Sequence, residues 1–454
     1  MKRIGWLWLV VSSALLASLA AETRPQYGGT LHVAMRTAVS SLDPADTGGV
    51  DSFARRSLMR LMFDTLVTMD ESGRVQGWLA TSWQASGPQR LQLRLRRGIT
   101  FHDGNALTAE AVAASLRSAN PSWNISVDSD SVTIEHDNSD SLLLAELALA
   151  RNAIEKKMSD GKPSGTGPFQ IAEWQPGKKL TLTTAESCWR GRPFLDAIEI
   201  EMGKNYRDQM LALESGKAEF IEVAAEQFHR VSVDGREIAS SAPMELTALL
   251  FSREATSPDD KALREALAYS VERNSIRSVL LQGAGQPAGS LLPNWMTGYA
   301  FTFSAEADLN RARHAHAQTR SNPTWTLAYD PNDTVARLLA ERIALNARDA
   351  GVTLQPSTNA TADLRLVRIP LASANPSLAL TALASATGLS VAKTKSDSVE
   401  ALYASEQALL ATRQIVPLFH LPASYAASAR VKGWTVNRDG SWSLADAWLE
   451  NRQP

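Results

Sequence analysis

Cysteine is almost absent: Cys188 stands alone among 454 residues. It can close no internal disulfide and supplies no thiolate cluster for a metal, so neither device holds this chain together. A positive excess is missing too. The 46 Lys and Arg face 48 Asp and Glu, a formal net charge of −2, and phosphate-backbone recognition needs the opposite balance, so nucleic acid is not expected as a partner. The 7 histidines are scattered, and His314 and His316 stand two apart, which keeps them off a common helical face. Neither Gly-x-Ser-x-Gly nor His-Glu-x-x-His occurs, so the familiar hydrolase and zinc-protease signatures are lacking. No metal, no cofactor and no catalytic residue is expected.

The apolar run from Ile4 to about Leu19 falls short of the roughly 20 residues a membrane helix needs. Lys2 and Arg3 precede it, and Ser18-Leu19-Ala20 offers the small residues a signal peptidase reads. Residues 1–21 are therefore expected to be a signal peptide cut near Ala20 or Ala21, which takes the mature charge to about −4. No cysteine lies near that site, closing the lipoprotein route and pointing to a freely diffusing protein of a Gram-negative periplasm.

The length allows two or three domains, and 44% hydrophobic with 21% charged residues is a globular balance. The clearest local pattern runs from Leu91 to Leu116. Leu91, Leu93 and Leu95 alternate with Gln92, Arg94 and Arg96, the period of a strand with one buried face. Gly98 breaks the run, Ile99 and Phe101 resume it, and His102-Asp103-Gly104-Asn105 makes a tight turn. Thr108 then caps a helix with Glu110 in its first turn and Val112 and Leu116 facing inward.

The order Leu93-Arg94-Leu95-Arg96-Arg97-Gly98-Ile99, Phe101-His102-Asp103-Gly104, Leu107-Thr108-Ala109-Glu110 resembles a long ungapped block of family 5 of the ABC-transporter solute-binding proteins, the peptide/nickel class. Further blocks resemble the same family. They include Gly28-Gly29-Thr30 with Leu42-Asp43-Pro44, Leu79-Ala80-Thr81-Ser82-Trp83, and Gly165-Thr166-Gly167-Pro168-Phe169. Others are Trp189-Arg190-Gly191-Arg192-Pro193-Phe194-Leu195-Asp196, Leu211–Val223, Leu263–Arg273, Gly283–Pro293 and Gln414–His420. Gly77-Trp78 departs from the family's Pro-Gly. No Lys-Ser/Thr pair follows Gly165 and Gly167, so a phosphate loop is disfavoured there.

The resemblance implies an α/β, two-lobed periplasmic-binding-protein fold (type II-like, class C) with an extra small inserted domain. Its block order implies a first lobe from 26–50, 165–245 and 421–454, an insert of 51–164, and a shortened second lobe of 246–420. The Gly283–Pro293 loop reads as a crossing segment between lobes. Leu263, Leu267, Val271 and Ile276 follow one amphipathic helical face. Ser40 and Ser41, Glu222 and His420 are the expected ligand contacts; a capped turn, a solvated strand end and a satisfied His are the respective ordinary alternatives.

The likeness thins beyond Leu364–Arg368. Peptide binders of the family carry there an Asp that holds the peptide's ammonium group. This chain reads Ile369-Pro370-Leu371-Ala372-Ser373-Ala374-Asn375-Pro376, with no acid until Asp397, and Arg368 would favour an anionic group. The implied function is a monomeric substrate-binding protein that captures a small peptide or similar solute by lobe closure and delivers it to an inner-membrane ABC permease. A diverged binding fold acting as sensor or chaperone is the alternative, and an enzyme is disfavoured.

Overall fold

One sheet runs through both halves of the molecule. The structure, a computed structural model, describes residues 24–46, 51–70, 72–87, 89–137, 139–158, 161–228, 236–333, 335–359, 361–390 and 398–450. The expected signal peptide and Asp397 lie outside the described residues. Among those described, the sheet has eleven strands. Its order is Phe169–Gln175, Lys179–Thr184, Ala197–Glu201, Thr30–Ala34, Phe220–Val223, Ile415–Ala427, Glu237–Phe251, Leu364–Pro370, Thr324–Ala328, Thr353–Ser357. The short Gln286–Pro287 strand pairs with Ile415–Ala427.

In the first lobe Thr30–Ala34 runs parallel to Ala197–Glu201, with Leu31 opposite Ile198 and Val33 opposite Ile200. The two-residue period sends Leu31, Val33 and Met35 into one core and Ala34 into another on the opposite face. The second lobe is likewise buried on both faces. Leu249 and Phe251 pack under the helices Pro258–Ser270 and Ala336–Asp349, while Leu246, Ala248 and Leu250 pack under Pro376–Thr387 and Val399–Ala411. Such two-sided burial is what covering helices impose on a sheet.

Two long strands, Glu237–Phe251 and Ile415–Ala427, connect the lobes. They pair antiparallel from Glu237↔Ala427 to Leu250↔Ile415, with register breaks at Ser240/Pro243, Pro243/Glu245 and Thr247/Ala248. Pro243 stands opposite Pro422. Neither proline can donate a ladder hydrogen bond, so the pairing is weakest where the chain passes from one lobe to the other.

The inserted unit has its own four-stranded sheet, ordered Ala80–Gly87, Arg90–Leu95, Ser131–Glu135, Asn124–Asp128. Leu91, Leu93 and Leu95 are buried as their alternation predicts, against Val112 and Leu116 of the helix Ala109–Ala119. Thr108 caps that helix by accepting from the Ala111 N–H at 3.2 Å. The second strand expected through Ile99 and Phe101 is only a single bridge, Thr100↔Ala106, because Phe101 N–H turns back to Asn105 C=O at 2.8 Å.

Three expectations need correction. The helix Phe53–Met62, inside the expected insert of 51–164, sends Ala54, Leu58, Met59, Leu61 and Met62 into the core of Leu31 and Val33 rather than that of the four-stranded sheet. Periodicity identifies the helix but not the core its stripe faces. The Gly283–Pro293 loop crosses between the two faces of the second lobe, from the core holding Leu281 to the core holding Leu291 and Leu292, rather than between lobes. The helical face through Leu263 and Ile276 belongs to two helices, Pro258–Ser270 and Arg273–Val279. Between them the buried Arg273 guanidinium donates to Val271 C=O at 3.3 Å and to Pro417 C=O at 2.9 Å.

Candidate functional site

Where the crossing strands leave the first lobe, residues of both lobes enclose a cavity of ≈350 Å³. Arg36 enters just beyond the end of Thr30–Ala34, and Tyr206 opens the helix Tyr206–Glu214. Glu222 comes from Phe220–Val223. Opposite them come Glu245, where one crossing strand passes into the second lobe, and Arg368 of the second lobe on Leu364–Pro370. Leu421 to Tyr425 of the other crossing strand and Asp51 to Ala54 complete the wall. Ligands of open α/β sheets gather at the carboxyl ends of parallel strands, and Arg36 stands at such an end.

Glu222 is fixed from two sides. Its Oε2 accepts the Arg36 backbone N–H at 2.6 Å, and its own N–H donates to Gln209 Oε1 at 2.9 Å. Gln209 is fully buried and donates to Lys204 C=O at 2.9 Å, so this chain of bonds holds the carboxylate in one place. Burial pushes the Glu222 carboxyl up from its ordinary range, while the Arg36 N–H and guanidinium oppose the shift. Glu245 is pushed up by burial as well, against the pull of Arg368 and Arg36. Glu226, beside the cavity, is raised for the same first reason.

Arg368 Nε lies 3.2 Å from Asp333 Oδ2 and 3.7 Å from Glu245 Oε1. Desolvation works against its charge, but Glu245 and Asp333 outweigh it and hold the guanidinium protonated. Arg36 sits 5.6 Å over the Tyr206 ring. Two nitrogens stand out: Arg36 Nη1 and Arg368 Nη2 are buried without a hydrogen-bond partner. Asp51, also in the wall, is taken by Arg56, whose Nε lies 2.9 Å from its Oδ1.

A larger hollow of ≈500 Å³ lies where the insert, the 435–446 segment and the Ala372-Ser373-Ala374 loop meet. Several of its charged groups are paired within the protein. Buried Asp64 accepts from Trp78 Nε1 at 2.7 Å, Trp189 Nε1 at 3.0 Å and Thr166 Oγ1 at 2.8 Å, and Arg60 pairs with Asp439 at 2.7 Å. Asp64, held by Trp78 on one side and by Thr166 and Trp189 on the other, links the 64–164 segment to the 165–245 segment. The smaller interlobe cavity is the candidate site.

Of the four residues expected from sequence, the cavity takes Glu222 alone. Ser40 is exposed, and Ser41 Oγ accepts the Asp43 N–H at 3.3 Å in a local turn outside the cavity wall. Arg36 and Thr37, a few residues earlier, are the part of that loop that reaches it. His420 is 2% exposed, its Nε2 3.1 Å from Leu291 C=O, with Gln286 paired beside it in the sheet, so it belongs to the second-lobe interior. Sequence reasoning missed Arg36, Tyr206 and Glu245. An arginine directly after a buried parallel strand, and an acid heading the apolar run Leu246–Phe251, were the available signals.

Comparison with known proteins agrees with this architecture. The profile described as bacterial extracellular solute-binding proteins, family 5 Middle, matches residues 74–368. The nickel-binding protein NikA of Staphylococcus aureus is 25% identical over 295 residues, covering 62% of this chain and 59% of that protein, less than two thirds of its length. In structure, NikA from S. aureus in complex with Ni(L-His)2 matches with a TM-score of 0.80 at 18% identity, covering 93% of this chain and 100% of that one. The periplasmic binding protein DppA from Helicobacter pylori in complex with the peptide STSA gives 0.79 at 18% identity, covering 94% and 99%. The structural likeness establishes the fold, α/β and two-lobed as in periplasmic binding proteins, and all of these relatives are named as binding proteins rather than enzymes. With more than half of its length matched by the profile, the chain belongs to family 5 of the bacterial extracellular solute-binding proteins.

Proposed function

We propose that this protein is the periplasmic substrate-binding component of an ABC importer, capturing a small peptide or similar solute between its lobes and handing it to an inner-membrane permease. The observation that carries this reading is the ≈350 Å³ cavity walled by both lobes, with Arg36, Tyr206 and Glu222 on one side and Arg368 and Glu245 on the other. Relatives named for a nickel complex or a peptide support a small solute of that size. In this reading the first lobe is built from about 26–50, 165–245 and 421–454, now with the helix Phe53–Met62, and the second from about 246–420. The crossing strands act as the hinge, and closing them around the solute needs no bond chemistry. The working form is a monomer released by cleavage near Ala21.

Thermal unfolding against a library of di- and tripeptides and their metal complexes tests the reading. A ligand present at about 100 times its Kd adds roughly 2.7 kcal/mol to the folded state, enough to raise the melting temperature by several degrees. A library without a single hit, together with no small-molecule ligand in protein recovered from its host, would refute it.

A further inference from the structure

We infer that Trp295 is a positioning residue for solute capture, a pin that ties the hinge to both lobes and favours the arrangement in which they wall the cavity together; this rests on the solute-binding reading above. Its indole Nε1 donates to Pro243 C=O at 3.1 Å, where one crossing strand passes from lobe to lobe. The residue opposite Pro243 is Pro422, which has no N–H to offer that carbonyl, so the indole supplies a donor that the ladder lacks there. The face of the same ring carries the Arg438 guanidinium, its carbon 4.7 Å from the centroid, a contact between the second lobe and the first.

Both partners sit on firm mounts. Buried Glu406, on the helix Val399–Ala411, accepts from the N–H groups of Leu291 and Leu292 and from the Tyr299 hydroxyl at 2.6 Å. Those bonds fix the loop that bears Trp295 to the second lobe, and Trp295 packs against the core of Leu291 and Leu292. Arg438 lies in the turn that joins Val436 to its strand partner Trp442. That turn is tied to the helix Phe53–Met62, since Arg60 Nη2 lies 2.7 Å from Asp439 Oδ2 and Arg56 donates to Asp439 C=O at 3.0 Å. Phe53 of the same helix packs against the cores of both lobes. Arg438 reaches the insert as well, for a Cβ on Gly73 would lie 3.7 Å from its Nη1. Ring and guanidinium are thus fixed to different lobes beside the break in the ladder, so rotation of the lobes alters their contact, and the contact weights one lobe arrangement over the others.

The test places spin labels at Glu214→Cys and Arg342→Cys in a Cys188→Ser background, one exposed site on each lobe. Into it go Trp295→Phe, which keeps an aromatic face and removes the N–H, and Arg438→Gln, which removes the cation. Without solute, each variant should populate the principal wild-type distance about three- to fivefold less relative to other distances, the weight of one hydrogen bond or one cation–π contact. Yeast extract filtered below about 1 kDa should then be needed at about two- to fivefold higher concentration for the same thermal shift, because only the competent fraction binds. Arg438→Gln carries the comparison if Trp295→Phe does not fold. Variants whose urea midpoint falls while their distances match the wild type make Trp295 a packing residue and overturn the pin; unchanged distances at an unchanged midpoint overturn it too. A filtrate that shifts neither wild type nor variants overturns solute capture instead, and the solute-free distances still decide whether the ring holds the lobes.

Discussion

His420 shows how burial turns a titratable side chain into a stability term. Desolvation pushes its imidazole down to about 4, only partly offset by its bond to Leu291 C=O. The unfolded chain takes up that proton near pH 6.5, and the folded chain refuses it until about 4. The folded state binds fewer protons in that window, so its stability is full above about 6.5 and falls as the pH drops. The loss approaches roughly 3 kcal/mol at pH 4. Urea unfolding of the wild type and His420→Gln between pH 4 and 7 should show a clearly flatter profile for the variant; parallel profiles would assign the acid sensitivity elsewhere. Glu222→Gln keeps an oxygen for the Arg36 N–H, and removes a carboxyl that burial already disfavours in its charged form. Calorimetry should find binding of acid solutes within about threefold of wild type, whereas loss of an ammonium partner would cost about 2–5 kcal/mol for amine-bearing ones. The sequence pattern placed Glu222 at a strand end and His420 on a strand face, but a period of two cannot say what covers that face. The His420 ring meets the Leu291 C=O, 129 positions away in the chain.

Among the elements, the return of the chain from the insert depends on two glycines for a steric reason. A Cβ on Gly165 would lie 2.0 Å from Met62 O and 2.5 Å from Phe63 Cδ1, and one on Gly167 would lie 2.6 Å from Met62 C. The backbone there presses against the end of the Phe53–Met62 helix, which cannot retreat without leaving the first-lobe core. Gly165→Ala should therefore cost about 3 kcal/mol, the upper end for overpacking. Gly104→Ala, with open space but a φ of +81°, should cost only about 1 kcal/mol. Denaturant melts of both variants check the order, and equal costs would show that the helix end yields. The turn-rich Gly-Thr-Gly-Pro block was readable as a crossover from its composition. The partner of those glycines was not, since it sits about a hundred residues earlier and belongs to a helix whose stripe gave no sign of which core it joins.

At the scale of the molecule, block order along the chain implied two lobes and an insert, because each block is a local strand, turn or helix with consistent signals. The cavity was far less legible. Its charged wall gathers Arg36, Tyr206, Glu222, Glu245 and Arg368 from five separated segments, and only the sheet order makes them neighbours. What joins the lobes is two strands whose ladder breaks around Pro243 and Pro422, so a small bend there moves one arginine relative to the other. Solute capture between the lobes depends on that motion. The lone cysteine makes it measurable: Cys188→Ser with Glu214→Cys and Arg342→Cys places one spin label on an exposed site of each lobe. Pulsed electron-spin distance measurement should give a broad, longer distribution for the protein alone and a narrower, shorter one with untreated yeast-extract filtrate. Identical distributions in a sample whose melting temperature rises with the filtrate would contradict closure on a solute.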